Sequence, residues 1–200
     1  VDRDTDRPVW VPPSVVLPGI VAYTDKVSHE WFAPAGLNRG GLTTVLEAKT
    51  RLTHAERDDL YENRINPIAS FPGQGVVVFG QKTLQSKPSA LDRINVRRLF
   101  LYLEKLVRNT MKFYVFEPNT LLTRTSVLNN LTPIFESIKQ EQGMFDFLII
   151  CDERNNSPNV VDQNQMVVDI YVKPVRAAEI ILVNFYATRT GQDFSEVSGY

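Results

Sequence analysis

The sequence is poorest in the residues that most site chemistry draws on: one cysteine, Cys151, two histidines, His29 and His54, and three methionines in 200 residues. A single thiol excludes an internal disulfide framework, and one cysteine with two histidines cannot supply a Cys/His zinc set of the usual composition. Folding in a reducing compartment is the simplest expectation. An excess of either charge is also missing, with 22 Lys+Arg against 23 Asp+Glu. Without a basic surplus the chain does not read as a dedicated nucleic-acid binder. Long hydrophobic runs are absent: segments such as Phe147 to Cys151 and Ile180 to Val183 fall far short of the roughly 18 to 20 residues that span a bilayer, so no membrane span is expected. Val1 is not a start methionine, and VDRDTDR at 1–7 is neither a signal nor a transit peptide. The chain is therefore expected to be a piece of a longer one.

What is present is an ordinary folding composition, 43% apolar and 22% charged, long enough for one large domain or a core domain with a smaller appendage. Pro12 and Pro13 suit helix entry, and Val15, Val16, Ile20 and Val21 follow at helical spacing, with Pro18 and Gly19 interrupting. Thr53 with Glu56 three residues on fits a capping box opening a helix at about 54–64. Two β-branched runs, 65–71 and 76–79, flank Pro72-Gly73-Gln74-Gly75 and predict a hairpin. Segments 91–111 and about 119–142 carry amphipathic helical patterns, the second containing Pro133 and ended by Gly143 in the left-handed conformation. Runs 144–151, 166–172 and 179–187 are the best strand signals, separated by a polar loop at 152–165 in which no element is expected. Together these predict an α/β sandwich: a mixed β-sheet with a β-hairpin and two or three packed helices. Leu99, Leu103, Leu106, Ile149 and Val168 are expected in one core. Residues 1–8 read as a flexible segment, 9–190 as the core and 191–200 as a polar arm without pattern.

No catalytic constellation emerges. Cys151 closes an apolar strand, where a packed thiol is the natural reading, although an α/β hydrolase using Cys151 is the competing enzyme hypothesis. His54 falls in a first helical turn and His29 beside Glu30 in a loop, both expected to be solvated. Gly73-Gln74-Gly75 is half a dinucleotide loop followed by a strand instead of a helix, which turn glycines explain. Asp146, Asp152, Glu153, Asp162 and Asp169 have no metal-ligand spacing, and the basic face of Arg93, Arg97, Arg98, Lys105, Arg108 and Lys112 lacks stacking aromatics. No catalytic group, cofactor or metal is expected.

Five strings in order, VWVPPSVVLPGIVAYTD, WFAPAGLNRG, ENRINPIASFPGQGVVVFGQKTL, ALDRINVRRLFLYLEKLV and FEPN, make the chain from about Val9 to Val183 resemble the C-terminal part of the tail sheath proteins of contractile-tail bacteriophages. The most specific pieces are Pro34–Gly36, Ile65-Asn66, the spacing of Gly75, Gly80 and Thr83, NVRRL at 95–99 and FEPN at 116–119. The resemblance implies a structural protein that polymerises helically around a tail tube and contracts to drive the tube through the host envelope. Related subunits serve R-type pyocins and type VI secretion systems. Family members are longer, with outward-facing domains and extended arms at both ends that add strands to neighbouring subunits.

The partners so implied are neighbouring copies of the same subunit, the tail tube protein, and baseplate and tail terminator proteins. The implied location is the virion tail, with assembly in the host cytoplasm. In the family a helix of this region faces the tube, and the helix ending at Gly143 holds the matching place, making Glu136, Lys139, Gln140 and Glu141 the tube-facing candidates. Phe194, Val197 and Tyr200, the bulky apolar residues of the last stretch, are the candidates for an inter-subunit arm.

Overall fold

The computed structural model describes residues 7–185. Pro12 caps and Pro13 opens helix α1 (Pro13–Val27), where a missing N–H is no loss; Pro18 lies inside it. A long loop leads to α2 (His54–Glu62). The predicted capping box is present: Thr53 N–H donates to Glu56 Oε2 at 2.7 Å and Glu56 N–H to Thr53 Oγ1 at 3.4 Å.

Strands β1 (Ile68–Phe71) and β2 (Gly75–Val78) form the expected antiparallel hairpin, with Ile68 opposite Val78 and Phe71 opposite Gly75. Its turn has Gly73 at φ 74° and Gly75 at φ 77°, a region that side chains with a Cβ disfavour. The other edge of β2 is taken by residues 36–42: Gly36 N–H donates to Val78 O, Val78 N–H to Gly40 O, and Leu42 N–H to Val76 O, at 2.8 to 2.9 Å. With both edges paired, Val76, Val77 and Val78 are all buried, which is why this run is apolar on both faces. Ile20 of α1 and Leu42 close that small core.

The second core is built on α3 (Ile94–Met111) and α4 (Leu121–Gln140). Val96, Leu99 and Leu103 line the inner face of α3; Val127, Leu131, Phe135 and Ile138, spaced by four, four and three, line that of α4. Strand β3 (Met144–Ile150) leaves α4 and, after the short α5 (Pro158–Asp162), pairs antiparallel with β4 (Asp169–Pro174), Phe147 facing Val172 and Ile149 facing Ile170. Buried Asn156 ties the intervening loop down, its side chain donating to Val167 O and accepting from Val167 N–H at 2.9 and 2.8 Å.

The α/β class holds, while the strands distribute differently from the expected mixed sheet: two separate two-stranded antiparallel sheets occur among the described residues. The run at 179–187, read as a strand, is unpaired over its described part, 179–185. Its continuous β-branched and apolar run, Ile180 to Val183, signals a segment suited to pairing, and no partner strand lies within the described chain. The strand expected at 166–172 begins at Asp169, because Val167 is bonded to Asn156, and the loop read as structureless contains α5. Left-handed geometry at the end of α4 falls on Gln142, φ 63°, not on Gly143. Gly143 is required for closeness: a Cβ there would stand 2.6 Å from Ile138 Cγ2 and 3.3 Å from Trp31. The core expectation also divides. Leu99 and Leu103 sit in a cluster with Trp31, Phe135, Ile138 and Met144, against which half-buried Leu106 packs, while Val168 packs on Val127, Leu131 and Cys151; Ile149 touches both. Residues 1–6 and the predicted arm at 191–200, with Phe194, Val197 and Tyr200, lie outside the described residues.

Phe135→Ala is expected to lower stability by about 3 to 5 kcal/mol, because the ring is fully buried between α4 and β3. Leu122→Ala, on an 83% exposed side chain of the same helix, is expected to stay within about 0.5 kcal/mol. Denaturant unfolding of the two variants checks both values.

Candidate functional site

The end of α4 is organised by a residue far away in sequence. Trp31, 6% exposed, enters the cluster of Leu99, Leu103, Phe135, Ile138 and Met144, and its indole N–H donates to the Glu141 carbonyl at 3.0 Å. One of the orphan carbonyls at a helix C-terminus is thereby satisfied by a side chain of the N-terminal half. His29 stacks on the same indole at 4.6 Å between ring centroids, with Nδ1 3.8 Å from Glu141 Oε2, so it is half-buried against an aromatic face and not the solvated loop residue expected. Burial raises the Tyr102 phenol, and the nearby charges of Glu30 and Glu141 add to the shift.

Of the four tube-facing candidates, Glu136 and Gln140 are exposed. Lys139 is half-buried, its ammonium 3.1 Å from Asp146 Oδ1 and 5.9 Å from the centre of the Phe147 ring. The Lys139 hydrogen bond, then one from the Phe147 backbone, holds the Asp146 carboxyl below its ordinary value. Glu141 is exposed, but its carbonyl belongs to Trp31 and its carboxylate faces His29 and Ser137. The geometry thus places all four on one helix end, two free and two engaged within the chain.

The second organised region is where the chain leaves β4. Val175 N–H donates to Gly143 O at 3.2 Å, and buried Asn95 donates to Val175 O at 3.4 Å. Four residues later Glu179 is gripped by Arg93, Nε to Oε1 at 2.6 Å and Nη2 to Oε2 at 2.9 Å, a two-pronged guanidinium–carboxylate pair. Tyr61 and Gln81 stand close to the same carboxylate. Burial pushes the Glu179 carboxyl up, yet the bonds from Arg93 and Tyr61 outweigh it and hold the group below its ordinary value; burial, then the bond and charge of Glu179, push the Tyr61 phenol up. Beyond Glu179 the packing stops: Ile180, Ile181, Leu182 and Phe185 are 80 to 93% exposed. β4 keeps one edge unpaired among the described residues, and between it and α3 lies a cavity of about 330 Å3 lined by Phe100, Leu103, Val107, Phe135, Ile170 and Val172 with Glu104 and Arg108 at its border.

Nothing among the described residues assembles a nucleophile and base. Cys151 is buried against Val127 and Leu131, and that burial raises its thiol above the ordinary range. His29 stands at the Glu141 end of α4, about 14 residues and some 20 Å along the helix from the level of Val127. His54 is on the surface, paired with Asp58 at 2.8 Å. No group of His, Cys, Asp and Glu able to hold a metal ion is found among the described residues.

Sequence reasoning missed Trp31, Tyr61, Arg93 and Glu179 as organising groups. Trp31 had a usable signal, being one of two tryptophans in the chain. Glu179 and Arg93 are 86 residues apart and had none.

Two outcomes are expected. Trp31→Phe keeps most of the ring but leaves the Glu141 carbonyl without its donor, a loss of about 1 to 3 kcal/mol in chemical unfolding. A carboxyl with a lowered folded pKa stabilises fully above its unfolded value, here the ordinary 4.5, and stops doing so as pH falls through the folded value. The stability gap between the unaltered protein and Glu179→Gln should therefore be constant near neutral pH and narrow below 4.5.

Comparison with known proteins gives a consistent result. Residues 86–188 match the phage tail sheath C-terminal domain, and residues 4–84 match the phage tail sheath protein central domain. The tail sheath protein of Vibrio phage KVP40 is 43% identical over 198 residues, covering 99% of this chain and 30% of that protein. The tail sheath protein of Enterobacteria phage T4 is 39% identical with the same coverage of both, and that of Salmonella phage ViI is 33% identical over 98% of this chain and 31% of that protein. This chain therefore spans just under a third of the length of these relatives. Among solved structures, the sheath complex of an extracellular contractile injection system, PVC, in its contracted state superposes with a TM-score of 0.84 at 28% identity, covering 94% of this chain and 53% of that one. The baseplate of the anti-feeding prophage gives 0.83 at 26% identity, covering 91% of this chain and 52% of that one. With one family model spanning more than half of the sequence and a second filling most of the rest, the chain belongs to the phage tail sheath family.

Proposed function

We propose that this chain is the core of a structural subunit that polymerises helically around a tail tube and contracts to drive the tube through a host envelope, working without catalysis. The observation that carries the reading is the exposed apolar run after Glu179, standing near a sheet with a free edge and an apolar cavity beside it. A strand edge accepts any extended backbone through main-chain hydrogen bonds, while alternate side chains enter adjoining pockets. Residues 180–185 of one copy are suited to the β4 edge of another, with every second side chain seated between α3 and β4. A subunit that offers an arm on one side and an edge on another makes a head-to-tail contact, which propagates as an open helix instead of closing on itself. In this reading the core runs from 9 to 179, shorter than the 9–190 expected, and the arm runs from Ile180 on through 191–200 with Phe194, Val197 and Tyr200.

Glu136, Lys139, Gln140 and Glu141 face the tube in this reading. Exposed ion pairs contribute only about 0 to 1 kcal/mol each, which suits a sheath that must release the tube when it contracts. Baseplate and terminator proteins bound the polymer, the assembled protein resides in the virion tail, and assembly takes place in the host cytoplasm. The closer likeness to phage proteins, 33 to 43% identity against 26 to 28% for the injection-system structures, favours a phage tail over a bacterial injection machine.

Ile181→Asp with Val183→Asp is expected to leave the melting temperature nearly unchanged, since both side chains are exposed, and to abolish tubes in negative-stain electron microscopy. Normal tubes from this variant would overturn the arm. Lys139→Glu is expected to reduce co-assembly with tube protein, and unchanged co-assembly would remove the helix end from the tube interface.

A further inference from the structure

We infer that Glu179 is the pivot of the arm: Arg93 locks this residue to the body of the subunit, so that the chain is held through 179 and swings only from Ile180 onward. The inference rests on the reading of residues after 179 as an inter-subunit arm, and it concerns how that arm is aimed. The last sheet residue is Pro174. Were the β-ladder the only restraint, the free segment would begin there, yet Val175 is held on both its N–H and its carbonyl by Gly143 and Asn95. Glu179 is then held by both oxygens, with Arg93 and Glu179 side chains only 24 and 25% exposed. Arg93 is itself fixed: its guanidinium lies 3.4 Å from Asp92 Oδ2, and its backbone forms an isolated bridge with Lys82. Tyr61 is fixed by Lys82, whose ammonium donates to the Tyr61 carbonyl at 2.6 Å and lies 3.9 Å from the ring centre. Lys82, whose backbone bridges Arg93, belongs to the region matching the central sheath domain, Arg93 and Glu179 to the region matching the C-terminal domain. The lock therefore sits at the seam of the two and reports their relative position to the arm.

The consequence is geometric. A bidentate pair on a planar guanidinium fixes direction as well as distance, which a lysine at position 93 would not do. Releasing Glu179 moves the pivot back to Val175, lengthening the free segment by four residues, about 13 to 14 Å when extended, and widening the volume its tip explores. An arm that must find one edge on a neighbour gains by having that volume small, because restricting the search raises the effective concentration of the end at its target. Arg93 and Glu179 are accordingly positioning residues for assembly, acting through the arm and not by touching the neighbour.

Pulsed electron–electron resonance on the soluble protein tests this, with Cys151→Ala, a reference spin label at Lys105→Cys on exposed α3 and a second at Ala178→Cys or Val183→Cys. The expected distance distribution is narrow for 178 and broad for 183. In Glu179→Gln, and to a lesser degree in Arg93→Lys, the distribution at 178 widens toward that at 183, while circular dichroism shows the fold kept. A broad distribution at 178 in the unaltered lock, or one that stays narrow in Glu179→Gln, overturns the pivot. The readout does not depend on polymerisation: tubes formed despite Ile181→Asp with Val183→Asp would remove the arm reading and leave the spin-label result standing, and the reverse outcome would remove only the pivot.

Discussion

The insertion of Trp31 beneath α3 and α4 is the contact on which the rest of the structure depends. Its ring joins Leu99, Leu103, Phe135 and Ile138, and its N–H terminates α4 at the Glu141 carbonyl. A buried indole contributes through area and through the one polar group it must satisfy, and here both demands are met by the other half of the chain. Gly143 follows from the same contact, since a side chain there would collide with Ile138 and crowd Trp31. The direction in which β3 leaves α4 is fixed by that turn, and with it the placement of the β3–β4 sheet.

From this arrangement two surfaces result at one end of the molecule. The helix end carries Glu136, Lys139, Gln140 and Glu141, and the chain exit at Val175 is bonded to Gly143 a few residues from them. Arg98 and Asp25, 2.5 Å apart, add a further tie between α1 and α3, and the backbone bridge of Lys82 with Arg93 adds another between the halves. The body is thus held as a unit by buried and half-buried contacts, while the segment after Glu179 carries a continuous run of exposed apolar side chains. A rigid body with a free adhesive segment is the division of labour that open polymerisation requires.

The elements were legible wherever a local rule governs them. The capping box at Thr53, the hairpin turn at Gly73 and Gly75, and the spacing of Val127, Leu131, Phe135 and Ile138 each report a contact within a few residues, and each appears where the pattern placed it. Sheet partnership was not legible, because an apolar run says that a strand is wanted without saying whose edge it joins. The 179–185 run shows this most clearly: its pattern is that of a strand, and it pairs with no segment among the described residues. The family was legible from strings such as NVRRL and FEPN. The organising side chains of the site, Trp31 on Glu141 and Arg93 on Glu179, join positions 110 and 86 residues apart, and no periodicity carries information over such distances.

The central claim is that the segment following Glu179 completes the sheet of another copy. A cryo-electron microscopy map of the assembled polymer tests it most directly, at a resolution that traces main chain. The account predicts that residues 180–185 of one subunit run along the free edge of β4 of its neighbour, with alternate side chains between that strand and α3. Density that folds these residues back onto their own subunit, or that leaves the β4 edge open in a fully formed polymer, would contradict it.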